Sequence, residues 1–440
     1  LPGMIRAAAP DVAIGYFQHI PFPSFELFRL IPWRVELLEG MLGADLLGFH
    51  TFDDSHHFLN AVTRLLPLNA NANVVTVNDR AVVAETFPMG IDNNKFELLS
   101  QDPEVIKQVE SLRENFQGTH MVLSIDRLDY SKGIIQRLQA FELFLQLYPE
   151  YIEKVVLYMI VVPSRDSVAQ YKELRDAIDM LAGGINARFR TLNWHPINYF
   201  YRSFPVETLS ALYSFADVGL VTPMRDGMNL VSKEYVASRK DSNGVLILSE
   251  MAGASKELID ALIVNPNNIG AIARAIHEAL NMPEGEQRRR MKQMQQIVSK
   301  FNISHWVKLF MARLQEVKQL QQSMLARRMS LEMQVHVRKS YKGAKERAIF
   351  LDYDGTLVGF QTNIDLASPD QDLIQLLSEL TADPVNRVVM VSGRKYQTLE
   401  EWLGHLKLDL IAEHGAFQKR HGEEWQALPG LTDQWKGDIA

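Results

Sequence analysis

The sequence predicts an α/β protein built on parallel sheets, and three observations carry that expectation. Between residues 121 and 280, short apolar runs rich in valine and isoleucine alternate with longer stretches whose apolar residues recur at helical spacing. Repeated βα units of this kind place strands in parallel and cover both faces of the sheet with helices. The segment 216–239 shows one unit most clearly, with ADVGLV as a buried strand, TPMRDG as a loop and 228–239 as a helix. Finally, 440 residues that are 47% hydrophobic and 22% charged supply core for two or three ordinary globular domains.

Composition also excludes several classes. A net charge of -7 argues against a nucleic-acid partner. The chain has no cysteine, which removes disulfides, thiolate chemistry and cysteine zinc sites. No apolar run reaches bilayer length and no signal peptide is visible, so no membrane partner is expected and a cytoplasmic location fits. Leu1 is not methionine, and the reading is of an internal stretch of a longer protein, cut at both ends. A homo-oligomer is compatible with all of this.

Taken in order, residues 12–17 (VAIGYF) read as a strand running into His19-Ile20-Pro21-Phe22-Pro23. Two prolines two apart fix an extended backbone there and hold His19 at the mouth of the sheet. Residues 25–42 read as a helix, 44–49 as a strand ending at His50 and Thr51, and 53–66 as a helix. Short strands at 74–77 and 81–84 suggest a hairpin around Asn78-Asp79. These strands are too few to close a doubly wound sheet. Then come strands at 121–125, 155–162, 218–221, 245–248 and 262–264, with helices at 134–148 and 167–181 among those between them. Residues 285–346, rich in Arg, Lys, Gln and Met, read as helices, and Arg288-Arg289-Arg290 as a solvated helix face.

The chemistry gathers at strand ends. Asp226 and Glu234 flank the loop and helix start after 216–221, where ligands bind in open α/β sheets. Asp226 is either a helix N-cap or an acceptor for sugar hydroxyls, and Glu234 either a surface ion-pair partner or a ribose ligand. Arg127 and Lys132, in DRLDYSKG after 121–125, enter a helix start and suit a diphosphate, or else bridge Asp126 and Asp129 in solvent. Arg165 repeats the placement after 155–162. Three cations and two acids at strand ends of one sheet describe a cleft for an anionic sugar ligand.

HIPFP (19–23), PWR (32–34), LLGFHT (46–51), FPMGID (87–92), DRLDYSKG (126–133), PSR (163–165) and DVGLVTPMRDGMNLVSKEY (217–235) resemble the trehalose-6-phosphate synthase family. That resemblance spans about 11–305 and implies a retaining glycosyltransferase of the GT-B fold, two facing Rossmann-like domains. Its first, acceptor domain would be incomplete and present as 1–99. Residues 100–280 would form the nucleotide-sugar domain and 281–346 the closing helices and linker. It implies UDP-glucose and glucose 6-phosphate as substrates, with no cofactor for the transfer. Arg127 and Lys132 would hold the diphosphate, and Asp226 with Gly227, Met228 and Asn229 the donor glucose. Glu234 would take the ribose, Arg165 the acceptor phosphate, and His19 would sit beside the donor sugar. The amino-terminal strands of that family, with their acceptor contacts, do not occur in this sequence. A GT-B transferase using another sugar nucleotide or acceptor, and a non-catalytic sugar-phosphate sensor, remain as alternative readings.

Residues 348–357 (AIFLDYDGTL) form an apolar strand ending in Asp352-x-Asp354-Gly-Thr. An EF-hand loop would need later ligand positions that this stretch lacks. The motif resembles the first motif of haloacid-dehalogenase (HAD) phosphatases, and AEHGA (412–416) the trehalose-phosphatase branch. The resemblance implies a partial HAD-like phosphatase domain at 347–440. In it Asp352 would be the nucleophile, Asp354 the general acid/base, both would be ligands of Mg2+, and Ser392 after the strand 388–391 would bind phosphate.

Overall fold

A six-stranded parallel sheet occupies the middle of the chain: β6 (His120–Arg127), β7 (Val155–Val162), β8 (Ile197–Phe200), β9 (Val218–Val221), β10 (Val245–Ser249) and β11 (Leu262–Val264), counted after the five strands of the preceding sheet. The computed structural model describes residues 1–78, 80–164, 168–326, 331–359 and 367–429, in two units, Leu1–Leu325 and Ala326–Ala440. The strand order is β11-β10-β9-β6-β7-β8. Strand order therefore reverses between β6 and β9, which pair through Val122–Val218 and Leu123–Gly219. Loops leaving the carboxyl ends of those two strands diverge to opposite faces and open a crevice between them.

The preceding sheet has β1 (Gly15–Phe17), β2 (Leu46–Phe49), β3 (Ala70–Asn71), β4 (Val74–Val77) and β5 (Arg80–Thr86) in the order β1-β2-β5-β4-β3. The first three in that order are parallel, and β5-β4-β3 turn back as an antiparallel meander. The expected hairpin at 74–84 is present, while Asp79 lies outside the described residues. The helix Ile303–Ala326 returns to this sheet, where Phe310, Leu314 and Val317 bury themselves against Leu46, Val83 and Phe87. Trp306 Nε1 donates to the Phe87 carbonyl at 3.1 Å and ties that helix to the crossover between the two sheets.

Several expected elements are corrected. The strand read at 12–17 pairs only over Gly15–Phe17. Residues 12–14 are held instead by side chains, Arg6 donating to the Val12 carbonyl and Asp45 accepting from the Ile14 amide. The helix read at 25–42 is two, Phe25–Phe28 and Arg34–Met41, because Pro32 disfavours helical backbone at Ile31 and lacks an amide to donate. The helix read from 228 begins at Leu230, with Asn229 in a left-handed conformation (φ 63°) capping the Ser232 amide. The helix read to 181 runs Ala169–Phe189. Strands β3 and β8 were not legible; β8 is short and half-buried at the sheet edge, so it lacks a strong apolar run.

The second unit holds β12 (Arg347–Asp352), β13 (Asn386–Val391), β14 (Asp409–Ala412), β15 (Phe417–Lys419) and β16 (Gln426–Ala427) in sequential order. The first three are parallel and the last two antiparallel.

Candidate active site

Strand β6 delivers the cationic half of the site. Arg127 is its last residue, and a short turn, Tyr130–Lys132, follows. Asp129 caps that turn by accepting from the Ser131 amide at 2.9 Å. Gly133 then takes a left-handed φ of 64°, and a Cβ there would meet the Thr222 carbonyl at 2.5 Å, so only glycine lets this turn lie against the loop after β9. Beneath it Arg137, fully buried, donates to Asp126 (2.7 Å), Thr222 Oγ1 (3.1 Å), Ser124 Oγ and the Lys132 carbonyl (3.0 Å). Burial pushes the Asp126 carboxyl up, opposed by Arg137 and Lys132. Asp126 thus pairs with Arg137, and the surface bridge to Arg127 and Lys132 is not formed.

The loop after β9 carries the acid. Its backbone is fixed on three sides: the Met224 amide donates to Ser131 (2.7 Å), the Asp226 amide to Met251 (3.1 Å), and Gly253 and Ala254 donate to Gly227 and Met228 (both 2.9 Å). Arg225 reaches across to the Phe22 carbonyl at 2.9 Å. Asp226 Oδ2 accepts from Lys132 Nζ at 2.6 Å and from Asn229 Nδ2 at 2.9 Å, and Oδ1 accepts from the Gly227 amide at 3.0 Å. Asp226 is therefore not the helix cap; Asn229 takes that role. An ion pair this short is charge-assisted, and it holds Lys132 at the crevice floor.

These elements enclose a cavity of about 310 Å³ lined by His19, His50, Met89, Asp126, Arg127, Lys132, Asp226, Met228, Asn229, Leu230 and Val231. Of the residues expected at the site, it unites His19, Arg127, Lys132, Asp226, Met228 and Asn229. Gly227 lies directly beneath, its missing side chain pointing at the His19 carbonyl. Glu234 lines an adjoining cavity of about 360 Å³, which shares Met89 and Leu230 with the first. Tyr213, itself buried, donates to Glu234 Oε2 at 2.9 Å. Burial pushes the Glu234 carboxyl up, while Tyr213 and Lys95 pull it down. Arg165 lies outside the described residues.

Four residues of this region escaped the sequence reading of the site. Arg137 sits among Ile134, Leu138 and Phe141 on an apolar helix face, and a cation there was the available signal. Lys233, 1% exposed, donates to Glu257 (2.6 Å) and to the Met89 carbonyl (2.8 Å), fixing the crossover that both cavities share. Tyr213 looked like an ordinary core aromatic. His50 was noted at a strand end without a role.

In the second unit, register pairs Asp352 with Val391, so Asp352 and Ser392 stand at neighbouring carboxyl ends. Thr356 Oγ1 donates to Asp352 at 2.9 Å. Asp354 is gripped by Arg394 through Nη2 (2.7 Å) and Nε (3.0 Å), with Ser392 Oγ at 3.5 Å. Glu413 and His414 both adopt left-handed φ, 52° and 57°, beside this cluster, where His414 abuts Gly393. Strained backbone of this kind persists where surrounding contacts impose it. Among the described residues no group of three His, Cys, Asp or Glu side chains comes together for a metal.

Residues 1–316 match the profile of Glycosyltransferase family 20, and residues 350–440 that of Trehalose-phosphatase. The bifunctional trehalose-6-phosphate synthase/phosphatase of Thermoproteus tenax is 46% identical over 439 residues, 99% of this chain and 60% of that protein. The UDP-forming alpha,alpha-trehalose-phosphate synthase A of Dictyostelium discoideum is 39% identical, covering 100% of this chain and 60% of its own length. The chain thus spans about 60% of the length of these curated relatives. Among solved structures, the Burkholderia xenovorans alpha,alpha-trehalose-phosphate synthase in complex with glucose-6-phosphate superposes with a TM-score of 0.69 at 36% identity, covering 71% of this chain and 70% of that one. A chain described as trehalose-6-phosphate from E. coli, bound with UDP-2-fluoro glucose, gives the same TM-score, identity and coverage.

Proposed function

The chain belongs to glycosyltransferase family 20, and we propose that it transfers glucose from UDP-glucose to glucose 6-phosphate, giving trehalose 6-phosphate. The observation that carries this reading is the convergence of Arg127, Lys132 and Asp226 on one cavity at the switch point of a parallel sheet. Losing UDP without a metal requires positive charge aimed at the diphosphate oxygens, where negative charge grows. Arg127 and Lys132 supply it, and the Lys132–Asp226 pair holds the ammonium in place before substrate arrives. Asp226 and the backbone at Gly227, Met228 and Asn229 bind donor hydroxyls, with His19 beside the sugar. Glu234, oriented by Tyr213, binds the ribose in the adjoining cavity. Arg165 takes the acceptor phosphate. Retention follows a front-face route in which the departing phosphate accepts the acceptor's proton.

The second unit would hydrolyse trehalose 6-phosphate to trehalose. Asp352, at the end of β12, is the nucleophile, Asp354 the general acid/base, and Ser392 a phosphate ligand. The two carboxylates are hard oxygen donors and fit Mg2+, which binds through one or two carboxylates plus water. When bound, the ion would shield the phosphate charge that otherwise repels the Asp352 carboxylate. No helix among the described residues is long and apolar enough to cross a membrane, and a cytoplasmic setting, where both substrates are made, suits this reading.

The test is UDP release in the presence and absence of glucose 6-phosphate, with Lys132→Ala and Asp226→Asn as controls. Release that depends on the acceptor, and falls by about 10²-fold or more in both variants, is expected. Acceptor-independent release, or variants as fast as the parent, would sink the transferase assignment. Phosphate release from trehalose 6-phosphate with added Mg2+, lost in Asp352→Asn, tests the second unit separately.

A further inference from the structure

Two carboxylates compete for the ammonium of the site. Asp126 and Asp226 both line the cavity that holds Lys132, and Lys132 and Asp226 are near enough for their charges to act on the Asp126 carboxyl. Asp126 is the more deeply buried of the two, its side chain 4% exposed against 19% for Asp226. In a drier setting an ionised carboxylate attracts a nearby cation more strongly, so burial by itself would draw the ammonium to Asp126. Lys132 nevertheless pairs with Asp226, at 2.6 Å.

Arg137 removes that competition. It stands on the helix Ile134–Leu147 with no exposed surface, and its guanidinium donates to Asp126 Oδ2 at 2.7 Å. The remaining donors reach Ser124 Oγ on β6, Thr222 Oγ1 beyond β9 at 3.1 Å, and the carbonyl of Lys132 itself at 3.0 Å. Acceptors on three separate segments fix the planar fork, so it stays with Asp126 and also anchors the backbone from which the Lys132 side chain extends. Without a cation at 137, the buried Asp126 charge would be left uncompensated, and Lys132 shares its cavity. An ammonium captured there would be drawn toward the end of β6, away from the loop after β9 that carries Asp226.

We infer that Arg137 is a positioning residue for the transferase: by holding Asp126 it leaves Lys132 to Asp226, where the ammonium meets the diphosphate of the nucleotide sugar. Arg137 itself touches no substrate and acts through Lys132. The inference rests on the nucleotide-sugar reading given above and adds to it the group that sets its lysine in place.

Binding of UDP by calorimetry and of uridine by NMR titration tests it without requiring turnover, in the parent, Arg137→Gln, Arg137→Lys, and Arg137→Gln combined with Asp126→Asn. Arg137→Gln should lose about tenfold or more for UDP, the effect of one charge-assisted contact to a phosphate, and keep uridine affinity within about twofold. Uridine carries no phosphate for Lys132 to meet, so it reports whether the rest of the site is intact. Adding Asp126→Asn removes the competing charge and should return UDP affinity to within about threefold of the parent. Arg137→Lys keeps a positive charge beside Asp126 and should stay within the same range, which decides the matter even where Arg137→Gln does not fold. Equal losses for UDP and uridine would mean that the guanidinium only supports the fold, and would overturn the proposal. So would a double variant no better than Arg137→Gln, an Arg137→Gln protein with unchanged UDP affinity, or an Arg137→Lys protein with the full loss. A parent protein that binds no UDP would overturn the underlying functional reading, an outcome distinct from all of these.

Discussion

Replacing Gly227 by alanine adds a single methyl group where the loop after β9 closes on the backbone of His19. A Cβ there would lie 2.1 Å from the His19 carbonyl oxygen, against about 3.4 Å for ordinary contact, so roughly 1.3 Å of separation must open. The loop cannot supply it, because Asp226, Gly227 and Met228 are each bonded to the backbone at 251–254 at 2.9 to 3.1 Å. Nor is the 227 carbonyl free to slide the other way, since it already accepts from the Gly253 amide at 2.9 Å. The displacement therefore parts the 19–23 segment from the 225–229 loop and weakens the Arg225 bond to the Phe22 carbonyl. His19 moves away from Asp226 while Arg127 and Lys132, carried on β6, stay where they are. A misplacement of about 1 Å at a reacting centre costs on the order of 10²-fold in rate. Glucose 6-phosphate-dependent UDP release should fall by about that factor in Gly227→Ala, while UDP affinity by calorimetry changes by less than about threefold. Unchanged transfer, or UDP affinity lost in step with transfer, would refute the reasoning.

Removing the Arg137 guanidinium leaves Asp126 buried and uncompensated. Arg137→Met should lower unfolding free energy by about 3 to 5 kcal/mol in denaturant titration, and Asp126→Asn in the same chain should restore part of it. His50 resists protonation in the folded state, with its pKa lowered from 6.5 to about 4. Its contribution is whole above pH 6.5 and is lost as pH falls toward 4, by about 3 kcal/mol. Stability of His50→Leu measured across that window should show a correspondingly shallower acid slope, and an identical slope would contradict the assignment. Glu234 has its pKa raised by burial, so folding is disfavoured increasingly as pH rises from its ordinary value through the folded one. Glu234→Gln should therefore raise the melting temperature of the ligand-free protein at neutral pH, with the gain vanishing in acid, and yet weaken UDP binding. Tyr213→Phe should weaken UDP binding through loss of the 2.9 Å bond that orients the carboxylate, narrowing the preference for UDP over 2'-deoxy-UDP.

Much of this molecule was legible before any coordinates. The strands 155–162 and 218–221 stand where their apolar runs placed them, because a strand buried on both faces must be apolar throughout. The motif residues Arg127, Lys132 and Asp226 were legible too, since charge at the end of such a strand has few structural uses. Their pairing was not. Lys132 and Asp226 are 94 residues apart, and nothing local distinguishes Asp226 from Asp126 or Asp129 as the partner of that ammonium. The N-cap went to Asn229 because a left-handed backbone at that residue, which local pattern does not encode, moved the helix start past Asp226.

Sequence alone determined most strands and helices of the middle sheet and which of its strand ends carry charge, because these depend on period and composition within a few residues. Only the tertiary structure decided that β6 and β9 lie side by side, and hence that Lys132 meets Asp226 and that Arg137 takes Asp126. Those outcomes depend on strand order and close backbone approach, which long-range packing sets and local propensity does not.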